Sequence, residues 1–376
     1  MKIVTWLTSA SIVLVIGAAV VVVMKEPLAA DQDSPQVIRI GAMSVERAAH
    51  QATLLKTGQV LVTGGCAGRG CNPIHASAEL YDPVTRSFQA TAAMATPRAS
   101  HAAVVLPDGR VLVSGGWTGR NATASAEIYD PATDGWTSAH DMSVPRMSPI
   151  AAPLAGGRVL ILGGEATTGA PLASAEVFDP TTFTFAAVGP MQTPRGSHVA
   201  VPLADGRVLV SGGHQAQGEI LRTAEIFDPT TGEFKPTGDM AVSRHKHAAA
   251  LLADGKVLII GGSDARDYRG RYASTEIFDP AIGEFSPGPE MRWGRHKIRD
   301  AVEVLPSGAV LVAGGAAQPE FFSPVDRIFV ATDGELSGPQ MFATATLLLT
   351  GEVLVLGGYD DRTQSSASAW LVDTTR

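Results

Sequence analysis

Apolar runs of four to six residues, separated by Gly, Pro and Asp, recur along this chain. The clearest stretch reads MATPRASHAAVVLPDGRVLVSGG and, after a variable segment, SAEIYDPATDGWTSAHDM. In it an apolar run from His101 to Leu106 meets the turn residues Pro107, Asp108 and Gly109. A β-rich run from Val111 to Ser114 ends at Gly115-Gly116. Ala126 to Asp130 follows a loop, and Trp136 opens a fourth run beyond a Pro-containing turn. Four short runs split by turn residues predict four antiparallel strands. Leu, Val, Ala and Ile fill these runs almost continuously, which predicts inner strands buried on both faces.

The unit repeats. Gly pairs begin at Gly64, Gly115, Gly163, Gly212, Gly261, Gly314 and Gly357, with steps of 51, 48, 49, 49, 53 and 43 residues. A period near 50 residues predicts the blades of an all-β propeller. Seven Met residues follow the fourth runs: Met43, Met94, Met142, Met191, Met240, Met291 and Met341. The first precedes any Gly pair, so Val37 to Ala42 reads as an orphan fourth strand. The last segment, Thr344 to Asp373, has three runs and lacks a fourth. The N-terminal strand is therefore expected to complete the seventh blade and remove the open edges of the ring.

The double Gly, the Tyr-Asp or Phe-Asp of the third strand and the aromatic of the fourth resemble the Kelch repeat family, within the galactose-oxidase-like superfamily. Tyr81, Tyr129, Phe178, Phe227 and Phe278 hold the third-strand position, and Phe88, Trp136, Phe185, Phe234 and Phe285 the fourth. The resemblance covers residues 37–376 and implies a seven-bladed propeller with four antiparallel strands per blade. It says little about function, because this fold hosts many unrelated activities.

Ahead of the ring, Ile3 to Met24 is a run of apolar or small residues flanked by Lys2 and Lys25-Glu26. Its length suits a bilayer span of about 20 residues, and a secretory signal is the other reading. Residues 1–24 are thus expected to be a signal peptide or an N-terminal membrane anchor, and 25–36 a linker. Either way the propeller is exported, to the periplasm or the cell surface. A net charge of −8 with 18% charged residues and no basic arm argues against nucleic-acid binding. The only two cysteines, Cys66 and Cys71, share the loop CAGRGC and are expected to form a local disulfide in an oxidising compartment.

The turns joining strands one to two and three to four are short and repetitive. The loops joining strands two to three are longer, differ from blade to blade and share the opposite end of the ring, where function is expected. Six arginines lie four residues after a Met: Arg47, Arg98, Arg146, Arg195, Arg244 and Arg295. Glu79, Glu127, Glu176, Glu225 and Glu276 precede the third-strand aromatic, with Asp326 the nearest equivalent in blade 6. Blade 7 has Ala345 and Trp370 where Arg and Glu are expected, a joint loss that points to a structural ion pair within each blade. Four histidines, His50, His101, His198 and His247, recur 14 residues before a Gly pair, with Pro149, Asp300 and Ala343 at the same place in the other blades. Spread around a channel they cannot converge on one metal ion, so a blade-to-blade hydrogen-bonding role is expected, and neither metal nor cofactor.

Blades 5 and 6 depart most from the consensus. Arg244, His245 and His247, the loop residues Arg266, Tyr268, Arg269 and Tyr272, and Arg292, Trp293, Arg295, His296 and Lys297 gather cations beside aromatic rings. Such a group suits an anionic carbohydrate or an acidic peptide. The expectation is a protein- or carbohydrate-binding module. A sugar-acid epimerase or mutarotase of the sialic acid type and a structural cell-envelope protein are the alternatives. Copper oxidases sharing this propeller need two Tyr, two His and a Tyr-linked Cys, a set the sequence does not offer.

Overall fold

In this computed structural model residues 35–374 are described in full; the signal or anchor expected at 1–24, and most of the linker, lie outside them. Seven four-stranded antiparallel sheets make the blades. In blade 2 the strands are Ala102–Val105, Val111–Ser114, Ala126–Asp130 and Gly135–Ser138, ordered from the axis outward. The first strands touch in an unbroken circuit from Gln51–Leu54 through Thr344–Leu347 and back, which closes the ring around a central channel. Gln36–Ala42 pairs with Ser368–Asp373 and supplies the fourth strand of blade 7, as the orphan run predicted.

Burial follows position in the blade. Second strands such as Val159–Leu162 are buried at every residue because a neighbouring blade covers each face, whereas fourth strands such as Ser87–Thr91 stay largely exposed. Seven hydrophobic clusters result, one at each blade interface. The third- and fourth-strand aromatics face each other within a blade, as in Tyr129 and Trp136 with centroids 5.1 Å apart. Apart from Gly314, the glycines of these pairs take positive φ, and at Gly65 a Cβ would lie 2.8 Å from the Ala48 carbonyl oxygen. Only Gly fits both demands.

The repeated arginines are inside. Arg47, Arg98, Arg146, Arg195, Arg244 and Arg295 are all 0% exposed and pair with Glu79, Glu127, Glu176, Glu225, Glu276 and Glu320 at 2.7–3.0 Å. Each guanidinium also donates to the carbonyl of the first Gly of its pair, as Arg98 does to Gly115 at 2.7 Å. Each carboxylate accepts backbone N–H groups as well, Glu127 from Ala95 and Thr96. A buried ion pair persists only when its remaining hydrogen-bonding capacity is met in this way.

Three register assignments change. Glu320, not Asp326, is the acid of blade 6; Asp326 bonds Ser323 instead. In blade 7 the Arg position is Gln340, whose carbonyl lies over Gly314 as that of Arg98 lies over Gly64, so Ala345 is not the equivalent. The Met position there is Leu336, which donates to Ala317 as Met94 does to Ala76, and Met341 lies five residues further on. Trp370 does take the acid position, opposite Val355. It packs in the apolar interface between blades 6 and 7.

Candidate functional site

Just before each first strand, at the loop-rich end, the chain makes the same unusual turn. Ala49, Ser100, Ser148, Ser197, Lys246, Lys297 and Phe342 all have φ between 49° and 57°, although none is Gly. The turn aims the backbone N–H of one blade at the neighbouring blade. Ser100 donates to Ala49, Ser148 to Ser100, Lys246 to Ser197, Lys297 to Lys246, Phe342 to Lys297, and Ala49 to Phe342, at 2.7–3.1 Å. These bonds satisfy amides that have no strand partner. They form a collar around the channel mouth, and all seven residues line one cavity of about 50 Å³.

The collar repeats its backbone but not its side chains. Blades 2, 3 and 4 present Ser, blades 5 and 6 present Lys, and blade 7 presents Phe342. Lys246 Nζ lies 2.9 Å from Asp267 Oδ1, and Lys297 Nζ lies 3.1 Å from Asp267 Oδ2. The fully buried His296 places Nε2 3.6 Å from the same carboxylate. Burial alone would raise the Asp267 pKa, but hydrogen bonds and charges from both lysines hold it at about 2. Lys297 also stands over the Tyr359 ring at 5.6 Å and the Phe342 ring at 6.0 Å.

Beside the collar residue Ser197 lies Glu165, directly after the Gly pair of blade 3. Its Oε1 accepts from Ser197 Oγ at 3.3 Å and lies 3.9 Å from His214 Nε2, while Oε2 is buried without a partner. Burial pushes this carboxyl up to about 7. The His214 and His245 rings meet edge to face at 5.9 Å.

Below the collar, blade 6 carries two residues that the other blades lack. Ile298, rather than Asp300, packs against the Gly pair of its blade, so Arg299 and Asp300 form an insertion before Ala301. Both line the mouth cavity and a second one of about 190 Å³ among the first strands. Arg299 pairs with Asp300 at 3.2 Å, and Asp300 accepts from Gln51 at 3.3 Å across the channel. These side chains form a septum between mouth and channel interior.

The histidines behave as wall residues. His50, His101 and His247 reach Thr344, Thr63 and Ser211 of the preceding blade at 3.0, 2.9 and 3.5 Å. The buried His198 finds no such hydroxyl, and both its ring nitrogens lack partners; burial and Arg195 lower its pKa to about 3.

The residues expected to bind ligand therefore divide. His245, His247, His296 and Lys297 stand at or behind the collar. Arg244 and Arg295 are sealed in the structural ion pairs and have no exposed surface, so they cannot meet a ligand directly. Tyr272 covers Arg244 at 5.5 Å. Arg266 pairs with Asp264 at 2.5 Å, and Tyr268 and Arg269 are exposed on the loop. Arg292 stacks on Trp293 at 4.9 Å, and Trp293 lines a separate outer cavity of about 300 Å³ with Arg271 and Asp361. Lys246, Glu165, His214, Phe342 and Tyr359 escaped the reading of the sequence. The one available signal was Lys246 aligning with Ser100, Ser148 and Ser197. Cys66 and Cys71 are bonded, Cα atoms 4.9 Å apart, and pin the blade 1 loop beside the mouth.

The Kelch motif matches residues 98–143, 195–241 and 244–292, in three of the seven blades, and the fold is a seven-bladed Kelch-type β-propeller. No curated protein matches it. Among solved structures it is similar to a fungal alcohol oxidase of the AA5 family in complex with copper, with 18% identity over 90% of this chain and 75% of that one and a TM-score of 0.69. That likeness is one of fold. Among the described residues no three His, Cys, Asp or Glu side chains gather to hold a metal ion.

Proposed function

We propose that this propeller is a binding module that seats a protein segment or a carbohydrate in the channel mouth at its loop-rich end. One observation carries the reading: seven backbone-identical collar positions bear serine, lysine, alanine and phenylalanine around a single cavity. Repetition of backbone with variation of side chain on a rigid frame is the arrangement of a recognition surface. Lys246 and Lys297, with the Phe342 and Tyr359 rings beside Lys297, offer charge and apolar contact together. The apolar segment before the ring supports an exported location.

The test is binding of the full chain to carbohydrate and peptide arrays, with Ser148→Trp and Ser197→Trp to fill the mouth and Val84→Trp to alter the opposite end. Loss of the wild-type signals in the first two variants alone is expected. Equal binding by all four proteins would overturn the reading.

A second reading, an enzyme that moves a proton on a sugar acid, draws on Glu165, a carboxyl titrating near neutral pH beside His214. Anomer exchange of sugar acids followed by NMR decides it: catalysis abolished by Glu165→Gln supports it, and exchange at the uncatalysed rate removes it.

A further inference from the structure

Lysine occupies the collar in blades 5 and 6 only, and both ammonium groups converge on one carboxylate that the chain itself supplies. Asp267 holds no repeat position. It comes from the variable loop of blade 5, on the single 3₁₀ turn Asp267–Gly270. Its φ is 52°, a left-handed conformation that disfavours a non-glycine residue. The base of this loop is fastened by the bridges Ser263↔Arg271 and Tyr272↔Arg295 and by the Asp264 N–H to the Gly270 carbonyl. Its tip meets the collar through the Asp267 carboxylate and the edge of Tyr268 on His296, with ring centroids 6.0 Å apart. Asp267 remains 38% exposed, and ion pairs of that exposure contribute little to stability. Stability therefore does not account for two partly buried lysines aimed at one point.

We propose that Lys246 and Lys297 form a binding site for a ligand carboxylate, and that Asp267 is its intramolecular occupant, displaced when ligand arrives. The proposal rests on the reading of the mouth as the binding surface and adds the chemistry of the ligand. The lysines already bracket a carboxylate, one at each oxygen, so a ligand carboxylate meets a preformed receptor. Displacement replaces one lysine-bound carboxylate by another, so the two lysines keep a counter-charge. It also frees the loop tip from its left-handed residue. Selectivity against neutral ligands follows, because a group that cannot replace Asp267 would leave two half-buried ammonium groups unpaired.

Calorimetric titration of the full chain tests this, using glucuronate and N-acetyl-aspartamide as carboxylates, with glucose and N-acetyl-asparaginamide as neutral counterparts. Asp267→Asn is expected to bind at least one carboxylate about tenfold or more tighter than wild type, with no gain for the neutral pair. Adding Lys246→Gln or Lys297→Gln to that variant is expected to cancel the gain. Asp267→Ala, with circular dichroism and thermal melts on every variant, separates lost occupancy from lost folding. A gain for glucuronate alone assigns a sugar acid, and a gain for N-acetyl-aspartamide alone assigns an acidic side chain of a partner protein. No gain, or an equal gain for neutral and acidic probes, overturns the proposal. Array ligands that Ser148→Trp abolishes but that ignore both lysines would sink the carboxylate site and leave the mouth reading standing.

Discussion

Cations in this chain do two different jobs, and burial tells them apart. Arg98 is enclosed, with Gly115, Ser125 and Glu127 accepting its hydrogen bonds, so removing it strands a buried carboxylate. Arg98→Ala is expected to cost about 3–5 kcal/mol, and Arg98→Lys most of that, since one ammonium cannot serve the same fork. Thermal melting checks both, and an unchanged midpoint would contradict the ion-pair ring. Buried histidines give a second residue-scale prediction. Burial, with Arg47 and Arg195 beside them, lowers His50 and His198 to about 3, below the ordinary histidine range. The unfolded chain then binds more protons below pH 6.5, and each such histidine withdraws about 2 kcal/mol of stability by pH 5. Glu165 works the other way: its folded pKa of about 7 favours the folded state below about pH 4.5 and loses that contribution as pH rises to 7. Melting temperature is expected to rise from pH 4.5 to 6.5, and Glu165→Gln to steepen that rise. A slope unchanged by the substitution would contradict the buried carboxyl.

Within the elements, the visible features were those written in special residues. Gly pairs, Pro-Asp-Gly turns and paired aromatics located the blades because each demands a particular residue type. The collar was invisible for the opposite reason: its left-handed residues are Ala, Ser, Lys and Phe, held there by blade-to-blade hydrogen bonds that no local sequence encodes. Blade 6 misled through its insertion, which shifts Asp300 off the histidine position, and through its short second loop, which hides Glu320. Arg244 and Arg295 looked like members of the charged cluster because spacing along the chain does not report depth. The insertion yields its own prediction. With Arg299 and Asp300 deleted, Ile298 and Ala301 would follow the pattern of His247 and Ala248 in blade 5. The variant should fold, and its crystal structure should show mouth and interior joined as one channel. A variant that fails to fold would assign the pair to the scaffold instead.

On the scale of the whole ring, stability resides in seven apolar interfaces and one closure. Without Gln36–Ala42, the strand Ser368–Asp373 becomes an open edge. Removal of residues 36–42 is expected to broaden the thermal transition and promote association, read by calorimetry and light scattering; a sharp, monomeric transition would show the closure to be dispensable. The rigid frame also confines recognition to one end. Hydrogen–deuterium exchange on the full chain, with and without the tightest array ligand, locates that end directly. Protection is expected at 245–248 and 296–300, which converge on the mouth, with faster exchange at 264–271, whose tip the ligand releases. Protection confined to the turns at 82–86 and 323–327 would place binding on the opposite face and contradict the mouth as the site.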